Sequence, residues 1–365
     1  MTEAEIFDTE TKYTGGRWPY EQLPEPVKSA YTEVAERAED LIGSARRALP
    51  QLPPIHFDFI HDAKVNALAF KAKGRYFIGL TTGTLYMLRM VIGRMLSDAR
   101  TFDFVGKPED EAVDLPPVAH FVTDADVMTN QQTPILTPND SVRASYAWYL
   151  QDQAIMFLLG HEIAHITRGH VDYLTKKRGP GFTASLDWFW NKGDNPKIER
   201  QCLEIDADRR SIVSRIDSLR LMYQNPARLM PPWSPHVYEP GHIIRDWSVS
   251  MGIVFRLFGD IRFSQSELNR LVYPPIPIRR VLCEMNAYGL TQEMWNPNLK
   301  EVVNEALTHG RSWVEYAFAD ILGAQVSAEG LKTAVSKMGQ DHMQRLVDHW
   351  NGNLLPIVKP FAYEF

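Results

Sequence analysis

The chain has 365 residues, a formal net charge of −6, 44% hydrophobic residues and two cysteines. That composition supplies ample material for a buried core, excludes a disulfide-built scaffold and carries no basic excess of the kind a nucleic-acid surface needs. Cys202 and Cys283 fall in no zinc-type or redox spacing, so both read as buried reduced thiols.

The start, Met1 to Asp8, has no basic stretch followed by an apolar core. Neither a secretory signal nor a transit peptide is therefore expected, and the expected location is cytoplasmic. Residues 1 to about 24 read as a polar arm, and about 25 to 48 as a helix that ends before Pro50. Ile55 to Phe59 alternates as a half-buried strand. Val65–Phe70 and Tyr76–Gly83 then form two strand-like runs around a good turn at Lys73-Gly74, followed by a helix to about Ala99. No run of about 20 predominantly apolar residues is uninterrupted. Arg89 and Arg94 break Leu85–Leu96, and Arg256 breaks Val249–Phe258, so no membrane span is expected. Residues 100 to 140 are loop-rich, with Pro108, Pro116, Pro117, Pro134 and Pro138, and either cover a cleft or connect elements.

A long helix is expected from an N-cap at Asp140 or Ser141 to about Tyr173, with apolar residues recurring at Tyr146, Leu150, Phe157 and Leu158. Its apolar run Ala154–Gly160 leads into His161-Glu162-Ile163-Ala164-His165. Residues four apart share a helix face, so His161 and His165 can hold one Zn2+ from the same side while Glu162 turns toward a metal-bound water. The bland alternative is a buried helix with two satisfied histidines. After His165 the chain reads Ile166-Thr167-Arg168-Gly169-His170. Arg168 stands where a metzincin needs glycine, and His170 arrives one residue early, so it reads as a neighbour of the ligands or a surface residue, not a ligand.

Lys176-Lys177-Arg178 complements the negative end of a helix. Gly179 to Pro196 carries Phe182, Trp188, Phe189 and Trp190, which form either a substrate-contacting patch or, as the safer reading, a small satellite core. A further helix is expected from about Lys197 to Tyr223, with Glu204-Ile205-Asp206-Ala207-Asp208 on it. Glu204 and Asp208 share one face, while Asp206 points roughly opposite. Glu204 would complete a His2Glu site with its fourth position open to water, and Asp208 would bond the distal nitrogen of a ligand histidine. Taken without the HExxH motif, these acids would be an ordinary face paired with Arg200, Arg209 and Arg210. Beyond Pro277 the signal is helical through Val302–Leu307, Trp313–Leu322 and Met343–Trp350. This tail either recognises a partner or buttresses the core.

The pattern HExxH followed by ExxAD resembles that of gluzincin peptidases, as in HtpX-type peptidases and the soluble Lit-type phage-exclusion peptidases. The resemblance implies a mostly α (α+β) fold with a zincin-type metallopeptidase core, a small antiparallel sheet and flanking helices. It further implies that Asn66 and Ala67 lie on the strand lining the cleft, where an extended peptide substrate adds. Tyr273-Pro274-Pro275-Ile276-Pro277-Ile278-Arg279 is similar to the His-Pro plus later Arg segment of the membrane-embedded relatives, with Tyr in place of His. By that likeness Tyr273 or Arg279 would steady the oxyanion, with His236 and His242 as rivals. The expected organisation is an arm and helix over 1–50, a metallopeptidase core over 51–290 and a helical extension over 291–365.

These readings imply a soluble zinc-dependent metalloendopeptidase holding one Zn2+ per chain and acting on protein or peptide substrates, with Glu162 as general base. The main alternative is a catalytically silent zinc-binding scaffold that presents its C-terminal helices to a protein partner, against which the presence of Glu162 argues. A cytosolic protease must spare its surroundings, so a narrow substrate range or a latent state is expected.

Overall fold

In the computed structural model, residues 1–25, 27–113, 115, 135–178, 197–225, 239–259, 263–268, 270–321 and 328–364 are described. The aromatic stretch 179–196, His236 and residues 116–134 of the proline-rich stretch lie outside them.

The first third of the chain forms helices α1 (Glu3–Thr11) and α2 (Val27–Ala48), strands β1 (Ile55–Ile60), β2 (Ala67–Ala72) and β3 (Arg75–Thr81), and helix α3 (Thr82–Leu96). Lys73 and Gly74 both have positive φ, at 48° and 79°, and close the two-residue hairpin between β2 and β3. The sheet order is β1-β3-β2. β2 runs antiparallel to β3 as the hairpin requires, but β1 pairs in parallel from Ile55 opposite Tyr76 to Ile60 opposite Thr81. The sheet is therefore mixed and not purely antiparallel. The reason is that the connection after β1 carries the chain across the sheet before the hairpin starts, leaving β2 at the edge.

Helix α4 (Ser141–Thr167) starts where Asp140 caps it, the carboxylate accepting the Arg143 N–H at 2.9 Å. It is apolar on nearly every face and is correspondingly surrounded by α2, α3, β2, α6 (Lys197–Gln224) and α7 (Pro240–Phe258). Tyr146, Leu150, Phe157, Leu158 and Ile166 all lie in its core. The helix does not continue to Tyr173 as expected. Gly169, at φ +77°, ends it after the Arg168 cap, and α5 (His170–Arg178) starts afresh. The bend is locked from outside, because a Cβ at residue 169 would lie 2.6 Å from the Phe361 carbonyl carbon.

Helices α4 and α6 are in tight contact beside the HEIAH segment. Gly160 permits this: a Cβ there would meet Ser211 Oγ at 2.7 Å, and that hydroxyl donates to the Phe157 carbonyl at 2.8 Å. Helix α8 (Ile276–Met294) packs on α6, and α9 (Lys300–Tyr316) runs along α7. The chain then passes through α10 (Ala328–Val335) and α11 (Lys337–His349) and returns to α4, where the Tyr363 and Glu364 N–H groups donate to the Thr167 carbonyl at 2.8 and 3.3 Å. No described helix is long and apolar enough to cross a membrane.

Candidate metal centre

One helical turn separates His161 from His165, and their Nε2 atoms face each other at 3.0 Å. Glu204, projecting from α6, brings one carboxylate oxygen to 3.5 Å from each of these nitrogens. All three residues are buried, and their ligand atoms lie within 4.8 Å of one another. Two imidazole nitrogens held face to face beside a carboxylate are a donor set that suits zinc, and the residues present fit that ion.

The charges around the cluster favour a cation. Burial opposes ionisation of Glu204, but Arg200, with Nη2 at 2.8 Å, and the two histidines hold its carboxyl well below the usual carboxylate range. Burial likewise disfavours a charged His161, yet Asp208 and Glu204 outweigh it and push that imidazole up to about 9. His165 is held well below its ordinary value by burial. Glu162, on the same turn and only 5% exposed, is lifted by burial to about 7. That value suits a group that must accept and return a proton near neutrality.

Each histidine has a support behind it. His161 Nδ1 lies 2.8 Å from Asp208 Oδ1, obliquely to the ring plane's ideal hydrogen-bond direction. Asp208 is in turn gripped by Arg279, whose Nε and Nη2 each donate to one carboxylate oxygen at 2.8 Å. Arg279, expected beside the oxyanion, is thus committed to Asp208, with its Nη1 3.7 Å from Glu204. Two buried carboxylates side by side on α6 attract the guanidinium more strongly than a neutral carbonyl would.

Asp206 is the residue to which sequence reasoning gave no role, and of the two readings of His170 the structure takes the neighbour of a ligand. His170 is fully buried, with Nδ1 3.0 Å from His165 Nδ1. Asp206 does not point away from the site's surroundings: it is buried, 3.2 Å from His170 Nε2, and bound by Arg168 through Nε at 2.8 Å and Nη2 at 2.9 Å. On a continuous helix His165 and His170 would lie on different faces. The break at Gly169 brings them together, and that glycine was the available signal.

Tyr273 is half-buried; Arg200 stacks over its ring at 5.1 Å and reaches its hydroxyl at 3.5 Å. His242 is substantially exposed, 3.9 Å from Glu239. Both main-chain groups of Asn66 are used locally. Its N–H donates to the Thr84 hydroxyl at 2.8 Å and its carbonyl accepts from Thr81 N at 3.1 Å, which fixes the start of α3. Ala67 opens the edge strand β2, opposite Leu80. Cys202 and Cys283 are both buried and free, and burial pushes each thiol up, Cys202 to about 12.

Comparison with known proteins agrees with this geometry. The family model for peptidase family M48 matches residues 29–179, which contain the sheet, the HEIAH helix and α5, while Glu204 lies beyond the matched stretch. No curated protein and no solved structure matches. Over residues 29–179 the chain is similar to peptidase family M48, a match that supports a zinc metallopeptidase of the HtpX type.

Proposed function

We propose that the chain is a metalloendopeptidase that holds one Zn2+ between His161, His165 and Glu204 and cuts protein substrates with Glu162 as general base. The observation that carries this reading is the convergence of the three buried ligand atoms beside a buried carboxyl lifted to about 7. When bound, zinc supplies a Lewis acid for the scissile carbonyl and acidifies water. Glu162 takes a proton from the attacking water and delivers it to the leaving amine. Asp208, held ionised by Arg279, orients the His161 ring; Arg279 therefore acts through Asp208. The Tyr273 hydroxyl donates a hydrogen bond to the developing oxyanion and keeps its proton, and Arg200 fixes the ring that carries it.

Asn66, through its side chain, and Ala67, through the edge of β2, contact an extended peptide on the strand side of the site. The soluble character and the narrow substrate range belong to the same proposal. Broad digestion of unfolded casein would count against the latter. The silent-scaffold alternative finds no support in a site that retains Glu162.

The test is a mass-spectrometric search for new protein N-termini in cell extract treated with the wild-type protein or with Glu162→Gln, each checked for bound zinc. New termini confined to the wild-type sample are expected. Identical termini in both samples, with zinc bound, would refute the assignment of Glu162.

A further inference from the structure

Resting on the zinc-site reading above, we infer that His170 and Asp206 form a tautomer-setting relay that holds His165 in its ligating form. The His165 and His170 rings are both buried, His170 fully, and burial disfavours a charged imidazole; a neutral one carries a single proton on one of its two nitrogens. Their Nδ1 atoms are 3.0 Å apart, so one of these must donate and the other accept. If His170 donated from Nδ1, His165 would accept at Nδ1 and carry its own proton on Nε2, the atom that faces His161 and Glu204. That arrangement blocks ligation.

Asp206 removes the ambiguity. Arg168 donates to both its oxygens, leaving a carboxylate whose nearest buried nitrogen on His170 is Nε2, at 3.2 Å and off the ring's ideal hydrogen-bond direction. A carboxylate there demands Nε2–H on His170, which leaves Nδ1 as a lone pair. That lone pair requires Nδ1–H on His165 and frees His165 Nε2 for the metal. The ring of His170 has little freedom to escape, because Trp350 packs edge-on against it with centroids 6.0 Å apart. Arg168 is itself steadied by the Glu364 carbonyl at 3.4 Å. The two ligand histidines are thus served by two arginine-clamped aspartates two residues apart on α6, Asp208 directly for His161 and Asp206 through His170 for His165. His170 and Asp206 are positioning residues and touch no substrate.

The experiment measures zinc affinity by competition with a chelator for the wild type, His170→Phe, His170→Asn and Asp206→Asn, and records imidazole 15N shifts of the zinc-loaded wild type. His170→Phe should lose about 10- to 100-fold in affinity. Asp206→Asn should lose at least as much, because an amide can donate to His170 Nε2 and so install the blocking tautomer. His170→Asn, whose amide oxygen can still accept from His165, should bind within a few-fold of wild type, which rules out a folding defect as the cause. The shifts should show Nδ1–H on His165 and Nε2–H on His170. Equal zinc affinity in all four proteins, or Nδ1–H on His170, would overturn the relay while leaving the metal site standing. A wild type that binds no zinc would overturn the metal-site reading and the relay with it.

Discussion

Replacing Glu162 by glutamine should separate its catalytic role from its cost to the fold. Burial lifts the Glu162 carboxyl from 4.5 to about 7 in the metal-free chain, so the folded state keeps a proton that the unfolded chain has already released across that range. A folded-state pKa raised in this way gives stability that is complete below 4.5 and lost as pH rises through about 7. Each pH unit of such a lift is worth about 1.4 kcal/mol, so the ionised side chain costs the metal-free protein about 3 kcal/mol above that range. The amide introduced by Glu162→Gln does not titrate. The stability of the variant relative to wild type should therefore improve by about 3 kcal/mol between acid and mildly alkaline conditions, with neighbouring groups cancelling to first order because both proteins share them. The assay is urea unfolding of chelator-treated protein at both ends of the range. Peptide hydrolysis by the zinc-loaded variant should fall by about 10²- to 10⁴-fold with zinc retained. A stability difference that does not change with pH would refute the buried, uncharged Glu162 on which the argument rests.

Further outcomes follow from the same structure. Arg279→Met leaves the Asp208 carboxylate buried without its cation and should cost about 3 kcal/mol or more in urea unfolding; a loss under about 1 kcal/mol would show that the pair carries little. Zinc loading near neutral pH should release about one proton per site, because His161, lifted to about 9 by Asp208 and Glu204 against burial, must give its proton up. Calorimetry in buffers of different ionisation heat reads this directly, and affinity should strengthen as pH rises toward 9. Gly169→Ala places a side chain at φ +77° against Phe361 and should destabilise the fold by about 1–3 kcal/mol while weakening zinc binding through His170; an unchanged unfolding midpoint would contradict the locked bend.

Local chemistry made the principal residues readable in the chain itself. The four-residue spacing of His161 and His165, the carboxylate between them and the paired acids of α6 follow from helix periodicity, which tertiary packing does not alter. The same holds for the Asp140 cap and the Lys73-Gly74 turn, whose geometry is set by residues that are neighbours in sequence. Tertiary structure decided everything that depends on which surfaces meet. The parallel pairing of β1 with β3 is a long-range choice that strand composition does not encode. Asp206 looked like a residue on the wrong face because one helix has an opposite face, but α6 is buried on both sides, between the metal cluster and the Arg168–His170 bend. Arg279 was drawn to a carboxylate some seventy residues away, and His170 was brought to His165 by a glycine whose left-handed turn is held by the return of the chain at Phe361. A ligand set at fixed helical spacing is a local property of the backbone; the partners that fix each ligand's proton come from other elements, and only packing brings those within hydrogen-bond range.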